Sequence, residues 1–181
     1  MAKFYYRGMV EETGQPKVGR SARLLGIRPG IDIDSWILSN GSQTQCHAEI
    51  FQDIEENWWC RVYPSDISAV GIDAPETAYL MTELGILLYR RLRSAPPFRY
   101  ALVGVEVDEF RTYRELLEES SASTFPGLVL AETVWQKMGA SPMFRLFNSG
   151  YVWKPYEGEV YKPLMVSSDL KEKLNELLIL Q

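Results

Sequence analysis

Apolar and polar positions along the chain fall into short alternating runs, one long helical stripe and one amphipathic stretch near residue 174. The helical stripe is the clearest. Between Ala74 and Arg93, the residues Leu80, Leu84, Leu87 and Leu88 recur at helical spacing. Glu76, Glu83 and Arg90 recur every seventh residue and read as its polar side. Asp73 is placed to cap this helix, Pro75 suits its first turn, and Pro96-Pro97 prevents its continuation. Ser168–Leu180 repeats the pattern more briefly, with Leu170, Leu174, Leu177 and Leu178 on one stripe.

Strands are read from β-favouring runs between turn residues. Lys3–Val10 opens with Phe4-Tyr5-Tyr6, and a turn-rich stretch follows to Pro16. Ile31–Leu38 and Thr44–Phe51 flank Asn40-Gly41, the dipeptide preferred in a tight hairpin turn. Trp58–Tyr63 reads as a strand stopped by Pro64. Phe98–Val107 is almost continuously apolar at its centre, as a central buried strand is. Asp108 is placed to cap a short helix carrying Phe110, Tyr113, Leu116 and Leu117, and Ser120–Thr124 reads as a loop. A strand at Leu128–Leu130 and a helix at Glu132–Met138, ended by Gly139, come next. Met143–Met165 reads as strands and turns, with Asn148-Ser149-Gly150 and Glu157-Gly158 as turn signals. Helices and strands interleave without a βαβ rhythm. The expected fold is therefore α+β: a mainly antiparallel sheet, one long helix, short helices and a C-terminal amphipathic helix. No linker divides residues 1–181, which read as a single domain.

Composition narrows the class of protein. The chain is 46% hydrophobic and 24% charged, enough apolar material for a core without staples. No apolar run approaches a membrane span, and Met1–Arg7 lacks the apolar core of a signal peptide, so a cytoplasmic location is expected. Cys46 and Cys60, the two cysteines, are then expected to stay reduced. The net charge of −5 disfavours nucleic acid as the main partner. Arg90, Arg91 and Arg93 stand where a helix ends, which accounts for them without a phosphate.

Candidate chemistry is thin. His47 is the single histidine, and no Gly-x-Ser-x-Gly, Walker loop or Gly-x-Gly-x-x-Gly is present. His47, Glu49 and Asp53 share a strand face by alternation, as do Asp32 and Asp34, and a solvated hairpin face explains both sets. Glu106, Asp108 and Glu109 end an apolar strand, where carboxylates serve acid–base or metal chemistry. The aromatic stretch Phe144–Tyr161 points elsewhere. Tyr151 and Trp153 lie on one face of a strand and Val152 on the other, so a core-facing Val152 leaves the pair exposed. With Tyr156 and Tyr161 they make an expected partner-binding surface, core being the alternative for each residue. The leading expectation is a protein-interaction or inhibitory module of the immunity type, without a catalytic cofactor. Its partner is another protein, basic on charge grounds, and self-association is left open.

Tyr6-Arg7-Gly8, with Gly14–Arg23 and Leu25–Gly30, resembles the opening of bacterial toxins of the ADP-ribosyltransferase fold. The resemblance covers residues 4–34 and implies an alternative, an enzyme that uses NAD. In it Tyr6 and Arg7 hold the cofactor phosphate and the catalytic set is Arg7 with Glu106 or Glu132.

Overall fold

A computed structural model of the chain describes residues 34–52, 54–64, 72–104, 112–118, 126–160, 167–179 and 181. The expected strand at Lys3–Val10, the carboxylates Asp108 and Glu109 and the loop Ser120–Thr124 lie outside those residues. The fold is α+β, with two antiparallel sheets that share a core with a long helix. The first sheet has the order β1-β2-β3: β1 Asp34–Ile37, β2 Gln43–Gln52 and β3 Trp58–Pro64. The second has the order β4-β5-β7-β6: β4 Tyr100–Ala101, β5 Val129–Ala131, β6 Arg145–Asn148 and β7 Tyr151–Trp153. The helices are α1 Pro75–Leu92, α2 Tyr113–Glu118, α3 Glu132–Lys137 and α4 Ser168–Ile179.

The hairpin around Asn40-Gly41 forms, but on a different turn. The Gly41 amide donates to Leu38 O at 2.9 Å and the Leu38 amide to Ser42 O at 2.9 Å. Asn40 has negative φ and Gly41 has φ +81°, so glycine supplies the bulge after a common turn. The Asn40 side chain accepts from Ser42 N at 2.9 Å and closes the loop.

Helix α1 is buried on more than its leucine stripe. Leu84 is 1% exposed and Leu88 is buried, whereas Leu80 and Leu87 are half-buried. Met81, Ile86, Tyr89 and Leu92 join them in one core with Trp36, Cys46 and Val62 of the first sheet and Val129, Phe147 and Trp153 of the second. Glu83, expected on a polar side, is 8% exposed. The hairpin turn lies over that face, and Ser39 donates its amide and hydroxyl to the Glu83 carboxylate at 2.6 and 3.0 Å. A buried carboxylate is tolerated when its oxygens are bonded in this way. Asp73 makes no cap; it accepts from the Thr77 hydroxyl at 2.9 Å, and Ala74 stands at the N-cap.

Two further expectations are corrected. Of the expected central strand Phe98–Val107, the described residues 98–104 contribute the two-residue β4, at one end of the second sheet rather than its centre. Their burial is shared between two cores: Phe98, Ala101 and Val103 join the α1 core, while Tyr100 and Leu102 join a second core, where Trp59 of β3 meets Tyr100 edge-on at 5.4 Å. Helix α2 is capped by Thr112: its amide donates to Glu115 at 2.7 Å and its hydroxyl accepts from the Glu115 amide at 3.3 Å. That reciprocal pair is a capping box. Gly139 ends α3 as expected, and the amphipathic α4 packs on α1.

Candidate functional site

Of the aromatic residues expected at a partner surface, Tyr151, Trp153 and Tyr156 turn inward. Trp153 is 7% exposed and packs against Tyr89 and Phe147, with ring centroids 5.1 Å away in both cases. Tyr156 is buried beside Tyr89 at 5.2 Å. Tyr151 is half-buried, stacks on Phe98 at 4.3 Å and accepts the Phe98 amide at 2.9 Å. The premise that Val152 alone faces a core fails because both faces of β7 are covered. Tyr151 and Trp153 meet the α1 core, while Val152 meets the core under α3. Tyr161 lies outside the described residues.

A polar knot holds the segment after β7 onto α1. The Tyr156 hydroxyl donates to Glu159 at 2.9 Å, and the Glu159 amide donates to the Thr82 hydroxyl at 2.9 Å. Tyr89 donates to Gly127 O at 2.8 Å. Burial, reinforced by the Glu159 charge, holds both tyrosine hydroxyls well above their ordinary range. They are neutral structural donors. Gly85 leaves room for the Tyr156 ring, since a Cβ there would stand 3.0 Å from it.

The cysteines are free and buried. Cys60 pairs with Ile50 and Cys46 with Pro64, so the two stand four residues apart along β2, about 13 Å, beyond disulfide reach. Burial pushes the Cys60 thiol from 9.0 up to about 12. A raised folded value gives stability that is complete below the unfolded value and lost as pH rises through the folded one. Stability should therefore fall from pH 9.0 upward, by about 4 kcal/mol from this thiol by pH 12. Urea midpoints measured from pH 8 to pH 10 should drop in the wild type and hold steadier in Cys60→Ala. Identical pH slopes in the two proteins would contradict the assignment.

Of the remaining candidate residues, Glu132, His47 and Glu49 fall among the described residues. Tyr6, Arg7, Glu106 and Asp53 lie outside the described residues. Glu132 opens α3, exposed, with its amide donating to Gly150 O at 2.9 Å. His47 and Glu49 stand two apart on β2, opposite Tyr63 and Arg61. Among the described residues no group of three His, Cys, Asp or Glu side chains is placed to hold a metal ion. No described helix is long and apolar enough to cross a membrane.

What the second sheet does offer is β6, an edge strand among the described residues. Register aligns Tyr100, Leu130, Val152 and Leu146 in one row across β4, β5, β7 and β6. The first two are fully buried, Val152 is half-buried, and Leu146 is 77% exposed. Helix α3 packs on β5 and β7, bringing Val134, Trp135 and Met138 over the row, and the row continues past it into solvent. Exposed Met143 precedes β6, and no described strand pairs with the outer side of β6. Sequence reading placed strands here but missed this site. The one signal was the unalternating Met143-Phe144-Arg145-Leu146-Phe147, because edge position depends on which strands pair. No family model, curated protein or solved structure matches this chain.

Proposed function

We propose that this protein is a protein-interaction module that receives an extended segment of another protein along β6. The observation carrying this reading is Leu146, a 77% exposed leucine that prolongs a buried apolar row on a strand that is at the sheet edge among the described residues. Edge strands offer unpaired amides and carbonyls to an incoming strand, and neighbouring apolar side chains add burial. Single exposed apolar residues elsewhere, such as Ile54 on the β2–β3 turn, are ordinary surface features. No cofactor is invoked. An inhibitor that masks its partner works by contact of this kind alone.

The test compares immobilised wild type, Leu146→Lys and Ile54→Lys in native lysate. A protein retained by wild type and Ile54→Lys, but lost with Leu146→Lys, is the expected result. Both variants should melt within about 0.5 kcal/mol of wild type, as surface substitutions usually do. Equal retention by all three, or none by any, would remove the proposal. Sedimentation of the protein alone adds a check: a dimer dissolved by Leu146→Lys would make a second copy the occupant.

A further inference from the structure

We infer that the segment received by β6 is acidic as well as apolar, an inference that rests on the edge-docking reading above. Alternation sends Arg145 and Leu146 to opposite faces of β6. Leu146 shares its face with Val152, whereas Arg145 is paired in register with Trp153 on the α1 side. Arg145 is exposed and has no carboxylate partner among the described residues. A second cation stands on the same side. The Arg93 guanidinium lies over the Phe147 ring, 5.6 Å from its centroid, and donates to the Gln181 main-chain oxygen. Asn148 donates to Arg93 O at 2.6 Å, which ties the end of α1 to this strand.

A strand laid along β6 therefore meets leucine on one face and arginines on the other. Its own alternation must supply an apolar side chain beside Leu146 and a carboxylate beside Arg145 and Arg93. The net charge of −5 suggested a basic partner. Charges beyond about 10 Å are largely screened at ordinary salt, so the local arginines decide pairing at this edge. A charge and a bulge also serve to keep strangers off an edge, and a register shift does occur between Leu146 and Asn148. Edge protection accounts for Arg145 but not for a leucine left in solvent beside it.

The probes are two labelled peptides, one alternating Glu and Val and one alternating Lys and Val, titrated against the full chain by fluorescence anisotropy. The Glu peptide should bind about five-fold tighter, an advantage that shrinks as salt is raised. Arg145→Glu should reverse the preference, and Leu146→Lys should weaken both peptides. If the two peptides bind wild type equally and Leu146→Lys weakens both, edge docking stands and the acidic inference falls. A tighter Lys peptide also overturns it. If neither peptide binds, the docking reading itself fails and takes this inference with it.

Discussion

Gly127→Ala is expected to lower stability by about 3 kcal/mol or more. The reason is local and double. Gly127 has φ +87°, a left-handed conformation that costs an L side chain about 1–2 kcal/mol. An added Cβ would also collide with the Tyr89 hydroxyl and stand 3.2 Å from Val103 O. That hydroxyl donates to Gly127 O at 2.8 Å inside a core where Tyr89 is 2% exposed. Pushing it aside strands a buried donor and acceptor, at about 1–3 kcal/mol. Urea denaturation checks the total. Combining Gly127→Ala with Tyr89→Phe should recover part of the loss, because the colliding atom is then gone. Losses that simply add would show that the two residues do not conflict.

Trp153→Ala should cost about 3–5 kcal/mol, the range for removing a buried aromatic side chain. Its indole is wedged between Tyr89 and Phe147 and supports the face of β7 that closes on α1. A thermal melt separates this from a surface role, in which stability would hold and only association would suffer. The same melt on Leu146→Lys provides the contrast. One strand away, an apolar residue is expected to matter for binding and hardly for folding.

Much of the fold was legible in local pattern. The leucine stripe of α1, the proline at its start, the Asn40-Gly41 hairpin and the amphipathic α4 all rest on short-range spacing and turn chemistry. The helix cap at Thr112 was equally local. Thr112 and Glu115 spell a capping box at the start of α2, where Asp108 was the expected cap.

Other features depended on what folds against what. Glu83 reads as a solvent residue until the β1–β2 turn arrives over it and Ser39 satisfies its carboxylate. Tyr151 and Trp153 were rightly placed on one strand face. Which face is buried is decided by two cores closing on β7 from both sides. Alternation distinguishes the two faces of a strand but not which is covered, nor whether the strand lies at an edge. The candidate site follows the same division. The sequence by itself determined the element types, the two free thiols and an aromatic-rich segment near residue 150. Only the tertiary structure decided that Trp153 and Tyr156 are core and that Arg145 and Leu146, on a strand paired along one side among the described residues, meet solvent. The physical reason is that burial is a property of pairs of elements, and sheet order, which sets those pairs, is not encoded in any single window of residues.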